Sequence, residues 1–125
     1  MLNQKQQYGR KGESVAVKQL IKNGYRILEQ NYRTKTGEID IVAKDGDTIV
    51  FIEVKARQTS GYGNPKHAVT WTKQQKIART ALTYLKSTKQ MGKRARFDVV
   101  AIHPSEDQDQ PSIEIIKNAF ELTGT

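Results

Sequence analysis

Asp40, Glu53 and Lys55 are the residues best equipped for chemistry, and they sit in two short runs, Gly37-Glu38-Ile39-Asp40 and Glu53-Val54-Lys55. Together the runs gather three carboxylates and one lysine. Mg²⁺ takes hard oxygen ligands and keeps several waters, so one or two carboxylates plus a substrate phosphate suffice. Such an ion polarises a phosphodiester and lowers the pKa of a water. A lysine on the same side holds or deprotonates that water, or stabilises charge growing on the phosphate. Asp40 and Glu53 are therefore the expected metal ligands, with the Val54 carbonyl a further candidate, and Lys55 the expected partner of the water. The ordinary alternative is a solvated sheet face on which Lys55 pairs with Glu53.

Two strands must hold these groups. Residues Gly37–Lys44 and Thr48–Ala56 alternate and are rich in β-branched side chains, and Asp45-Gly46 between them signals a hairpin. A turn centred on Asp45-Gly46 sets Val42 against Ile49, Asp40 against Phe51 and Glu38 against Glu53. Glu38, Asp40, Phe51, Glu53 and Lys55 then share one face. Asp40 and Glu53 become diagonal neighbours, roughly 7 Å apart at the backbone. Ile39, Ile41, Val50, Ile52 and Val54 form the opposite, core face. Glu38 across from Glu53 is a like-charge pair, unfavourable unless a cation neutralises it.

The remaining elements frame this hairpin. A helix is expected over Gly9–Asn23, with Val17, Leu20 and Ile21 as its apolar stripe and Gly24 as its stop. A strand follows over Tyr25–Arg33, packing through Tyr25, Ile27 and Leu28. Residues Arg57–Lys66 read as a loop. A second helix fits Thr72–Lys89, capped by Thr72 with Gln75 and buried through Ile77, Ala78, Ala81, Leu82 and Leu85. Strands Arg96–His103 and Ile113–Lys117 close the chain around a polar turn, Pro104–Pro111. Strand three, helix two and strand four form a right-handed crossover with parallel strands. The expectation is one α/β domain over residues 1–125, a central mixed five-stranded sheet flanked by helices.

The charge distribution names a partner. The chain of 125 residues carries a net charge of +8. Residues 56–97 contain ten Lys/Arg and no acid, whereas residues 37–55 contain five acids and two bases. A basic tract of that length is the footprint of a polyanion, and nucleic acid fits it better than a bare solvated face. Lys73, Lys76 and Arg79 recur at helical spacing and are expected to contact the nucleic-acid backbone, as is Arg57 just beyond Lys55. Tyr62, His67 and Trp71 have the ring systems to stack on unpaired bases, although Trp71 and Tyr84 read better as packing residues. His67 and His103 lack a partner at ligand spacing. Asp98 reads as a structural partner for a Lys or Arg. The absence of cysteine excludes disulfides and thiolate metal sites. No segment approaches the ~20 apolar residues that span a bilayer, and Met1–Gly12 lacks a signal peptide's apolar run. A cytoplasmic protein without a membrane partner is expected.

An acid on one strand followed by Glu-x-Lys on the next resembles the PD-(D/E)XK nuclease superfamily. Asp40 stands for the first acid and Glu53-Val54-Lys55 for the Glu-x-Lys, although Ile39 replaces the proline that often precedes that acid. Gly12-Glu13, GEIDIVA at 37–43, FIEVKAR at 51–57 and RFDVVAI at 96–102 are similar, in that order, to the bacterial YraN-type family. The resemblance implies a restriction-endonuclease-like core, Mg²⁺ or Mn²⁺, and phosphodiester hydrolysis leaving a 5′-phosphate. Within the superfamily the chain is most similar to archaeal Holliday-junction resolvases, which work as dimers, so a homodimer is implied. Those enzymes use a glutamate on the first helix, which makes Glu13 a candidate catalytic and metal-binding residue. Supporting the helix N-terminus through the macrodipole accounts for Glu13 equally well. Gln75 matches a helix-two polar residue that many members add to the site.

The expected function is a Mg²⁺-dependent endonuclease-like activity on structured or branched DNA. Two other readings stand beside it: a catalytically silent nucleic-acid-binding module in DNA repair or recombination, and an RNA-directed nuclease.

Overall fold

A computed structural model describes residues 4–56, 69–103 and 111–121, with side chains from residue 12 onward. The elements run α1 (Gln4–Lys22), β1 (Arg26–Thr34), β2 (Gly37–Asp45), β3 (Thr48–Ala56), α2 (Trp71–Ser87), β4 (Ala95–His103) and β5 (Ser112–Phe120). The strands form one sheet in the order β1-β2-β3-β4-β5. Only the β3–β4 pairing is parallel. The expected α/β architecture, with a mixed five-stranded sheet and two helices, is the one observed. It accords with a restriction-endonuclease-like core.

Alternation along β3 divides the core. Val50 and Ile52 pack with Ala16, Leu20, Tyr25, Ile41 and Val100 under α1. Ile49 and Phe51 pack with Ile77, Ala81, Tyr84, Leu85 and Val99 under α2. The α2 side is aromatic: Tyr84 meets Tyr32 and Phe51 edge-on, with ring centroids 5.2 and 5.8 Å apart. Such edge-to-face pairs add about 0.5–1.5 kcal/mol each beyond the area they bury. On the α1 side, Gly12 lets the helix approach β3. A Cβ added there would lie 2.9 Å from the Ala56 Cβ, so any larger residue would push the helix, and Glu13 with it, off the sheet.

Several expectations need correction. Helix α2 starts at Trp71, and its cap is Thr70, whose hydroxyl accepts from the Lys73 N–H at 3.2 Å; Thr72 and Gln75 form no capping box. Trp71 is not a packing residue: it is 72% exposed. Ile21 and Leu82 are also exposed rather than buried, their places in the core being taken by Ala16 and by Tyr84 and Thr80. Tyr84 packs as expected. The Arg57–Lys66 loop, with Arg57 and Tyr62, lies outside the described residues, as do His67 and the 104–110 part of the polar turn.

The hairpin register also differs. Asp45 pairs with Thr48, Val42 with Phe51 and Ile41 with Ile52, two residues displaced from the expected alignment. The loop is Gly46-Asp47, with Gly46 at φ +61°, the positive value that a two-residue turn asks of its first position and that glycine adopts without strain. A shift of two preserves the faces but moves Asp40 off Phe51 and Glu38 off Glu53. Glu38 instead faces Arg33 of β1, with Nε and Oε1 3.4 Å apart, so the like-charge pair does not form.

Asp98 has the structural partner expected of it, and more. Its carboxylate is fully buried on the α1 side. It accepts from Arg96 Nε at 2.9 Å, Tyr25 Oη at 2.8 Å and the Asn118 N–H at 2.9 Å. Arg96 also bonds Asp45 Oδ2 at 2.6 Å and thereby ties the hairpin turn to β4. That contact holds the Asp45 carboxyl below its ordinary range, and burial with the Asp98 charge pushes the Tyr25 phenol well above its own.

Candidate active site

Both strands that carry the first acid change sides at one step. Ile41 belongs to the α1-side core and Ile39 to the α2-side core, although regular alternation puts residues two apart on one face. On β1, Gln30 pairs with Ile41 and lies with α1 residues, whereas Tyr32 pairs with Ile39 and packs against α2. The step between falls on Asn31 and Asp40. Asn31 has φ 55°, a left-handed conformation uncommon for any residue but glycine. The expectation that Ile39 shares a face with Ile41 is overturned here.

At this switch Asp40 turns along the sheet toward β3. The β2–β3 ladder stops at Ile41–Ile52, and the Asp40 Oδ2 accepts the Val54 N–H at 2.8 Å. A side-chain oxygen thus satisfies an amide that β2 leaves unpaired. Burial, the Glu53 charge and, more weakly, the Glu13 charge push its pKa up to about 7, against the lowering effect of the Val54 hydrogen bond and Lys73. Glu53 and Glu13 are therefore close enough to oppose the ionisation of Asp40.

Glu53 is buried on the α2 side of β3. Its Oε1 lies 2.5 Å from Lys73 Nζ and 3.9 Å from Lys55 Nζ. Lys73, expected to contact the nucleic-acid backbone beside Lys76 and Arg79, turns inward to the acid. Lys76 and Arg79 are exposed. Lys55 is partly buried, and desolvation together with the neighbouring Lys73 ammonium lowers its pKa, partly offset by Glu53 and Asp40. Contact with Glu53 raises that of Lys73 against its own burial. Lys55 is thus the ammonium that gives up its proton more readily, as a water-handling base requires.

Sequence periodicity did not reveal the pairing of Lys73 with Glu53, because its i, i+3 spacing with Lys76 reads as one basic row. It missed the strand switch because Ile39 and Ile41 look like regular alternation. The one available signal was Asn31, a residue type that tolerates the left-handed region, in the middle of a strand.

Asp40 and Glu53 offer the hard oxygen donors that suit a divalent ion, and a bound cation would relieve the restrained ionisation of Asp40. Asp40 and Glu53 stand on the neighbouring strands β2 and β3, and Glu13 of α1 is near enough to act on the Asp40 charge. Among the described residues no group of three or more His, Cys, Asp or Glu side chains is placed to hold a metal ion. An ion would thus depend on two carboxylates and on the substrate for the rest of its shell. No helix among those residues is long and apolar enough to cross a membrane.

Comparison with known proteins places the chain. A model described as "Uncharacterised protein family UPF0102" matches residues 12–102, the span that holds Glu13, Asp40, Glu53, Lys55 and Lys73. A UPF0102 protein of Desulfosudis oleivorans is 55% identical over 121 residues, covering 97% of this chain and 95% of the relative. One from Geobacter metallireducens is 54% identical over 114 residues, covering 91% and 92%. A third, from Caldicellulosiruptor saccharolyticus, is 44% identical over 116 residues, covering 93% and 98%. The chain belongs to the UPF0102 family.

Proposed function

We propose that this protein is a divalent-metal-dependent nuclease that hydrolyses phosphodiester bonds of structured or branched DNA. The observation that carries the reading is the position of Asp40: its carboxylate lies along the sheet, under the charge of Glu53 from one side and Glu13 from the other. Asp40 and Glu53 would hold Mg²⁺ or Mn²⁺, with Glu13 assisting. When bound, the ion polarises the phosphodiester and lowers the pKa of the attacking water. Lys55 orients that water and accepts its proton, a role favoured by its lowered pKa. Lys73 neutralises Glu53 at rest and, when an ion takes over that carboxylate, turns to the substrate phosphate. Lys76 and Arg79 hold the backbone along α2. The working unit is a homodimer, as the superfamily resemblance implies.

A second reading is a DNA-binding module of repair or recombination without turnover. The Lys73–Glu53 contact favours it, because that lysine occupies a carboxylate the ion needs. Junction, flap, single-stranded and duplex DNA, with RNA of matched shape, should be incubated with Mg²⁺, Mn²⁺ or EDTA. Metal-dependent cleavage that disappears in Asp40→Asn and Glu53→Gln while binding persists supports the nuclease. Uncut substrates, bound equally well with or without metal, support the module.

A further inference from the structure

On the α1 side of the sheet lies an open cavity of about 460 Å³ lined by Glu13, Ser14, Val17, Lys18, Gln30 and Asn31. Two features connect it to Asp40. Glu13 forms part of its wall and acts electrostatically on the Asp40 carboxylate. Asn31 lies between the pairs Gln30–Ile41 and Tyr32–Ile39, which sets it across from Asp40 in the β1–β2 ladder. Asn31 is also held at φ 55° within a strand, and such backbone outliers gather at functional sites.

The chemistry of the lining selects the ligand. Ser14 and Lys18 are one helical turn apart and so project from the same stretch of α1. The two amides of Gln30 and Asn31 face them from β1, each able to donate and accept. Val17 supplies an apolar contact, and no aromatic side chain is among the described residues of the lining. This set suits a polar chain that bears both phosphates and hydrogen-bonding edges. It offers little to an apolar cofactor. Lys18 is the cationic side chain among the described residues of the lining, and so the anion contact.

We propose that this groove is a second strand-binding subsite of the same centre, holding nucleic acid on the face of the sheet opposite α2. Lys18 contacts a phosphate, and Gln30 and Asn31 contact sugar or base edges. The inference rests on the nucleic-acid reading of the preceding section. It adds that substrate is gripped on both faces of the sheet, which a strand leaving a junction or flap permits and an unbroken duplex does not.

The test uses a fluorescein-labelled four-way DNA junction and a plain duplex, with binding read by anisotropy in Ca²⁺ across a salt series. Lys18→Gln is compared with Lys22→Gln, which makes the same charge change on exposed α1 surface outside the groove. Asn31→Gly removes the side chain while glycine tolerates the same backbone; Gln30→Ala completes the set, and thermal melts verify folding. Lys18→Gln should weaken junction binding about 10-fold and reduce the salt slope by about 1. Asn31→Gly and Gln30→Ala should each weaken it about 5-fold, roughly 1 kcal/mol, with no change in slope. Lys22→Gln should stay within about twofold, and duplex binding should change less than junction binding throughout. Equal losses in Lys18→Gln and Lys22→Gln, or wild-type affinity in Asn31→Gly and Gln30→Ala, would overturn the groove. If Lys76→Gln and Arg79→Gln still weaken binding in that case, the nucleic-acid reading survives without it. A wild-type protein that binds neither DNA would remove both.

Discussion

Lys73 of α2 and Glu53 of β3 form an ion pair of 2.5 Å in which the acid is only 7% exposed. A buried carboxylate gains much from a single cation, and losing that partner leaves an uncompensated charge. The same cation stands where a divalent ion would have to act, so lysine and metal compete for one carboxylate. Lys73→Gln should therefore bind Mn²⁺ more tightly, by about 10-fold, as read by calorimetry. In EDTA it should be less stable by about 1–3 kcal/mol in urea unfolding. Equal Mn²⁺ affinity in the two proteins would show that Lys73 does not guard the site.

Asp40 makes stability depend on pH in an unusual direction. Its folded pKa of about 7 lies above the unfolded value of about 3.9. Between those values the native state holds a proton that the unfolded state has released. Stability contributed by this group is therefore full below about pH 4 and lost as pH rises to about 7. Asp40→Asn should gain on wild type across that window, with a slope of up to about 1.4 kcal/mol per pH unit, and hold its advantage above it. Adding Mg²⁺ at pH 8 should raise the melting temperature of wild type and leave that of Asp40→Asn unchanged. Parallel stability curves from pH 4 to 8 would contradict this account.

Asp98 separates scaffold from site. It is fully buried, bonded to Arg96, Tyr25 and the Asn118 amide, and sits on the face of β4 that packs beneath α1. Asp98→Ala leaves a cavity and takes the buried acceptor from Tyr25, the Asn118 amide and part of Arg96, and should cost about 3–5 kcal/mol in denaturant unfolding. Mn²⁺ affinity per folded molecule should be retained. Loss of metal binding with unaltered stability would reverse the assignment.

The features that strand and helix periods encode were legible in the sequence. Alternation through Ile49–Ile52 and the glycine beside Asp45 identified the hairpin and put Glu53 and Lys55 on the correct side, because a register error of two leaves side-chain faces unchanged. Features set by tertiary contact were not legible. Thr70 rather than Thr72 caps α2 because only the folded backbone decides which hydroxyl meets the Lys73 amide. Trp71 looks like core by residue type, yet it falls on the first turn of α2 where nothing covers it to any great extent. Asp40 reaches β3 only because two neighbouring strands change faces together, and a pattern of alternating isoleucines carries no trace of that. Glu13 owes its place to the close contact of Gly12 with Ala56, a long-range event for which the residue after a glycine gives no cue.

The most direct test is Mn²⁺ titration followed by electron paramagnetic resonance at pH 8, with wild type, Asp40→Asn, Glu53→Gln and Asp98→Asn in parallel. The account predicts saturable binding to wild type, affinity reduced at least about 10-fold in Asp40→Asn and in Glu53→Gln, and wild-type affinity in folded Asp98→Asn. Mn²⁺ binding of equal strength in all four proteins, or none to wild type in the presence of DNA, would contradict it.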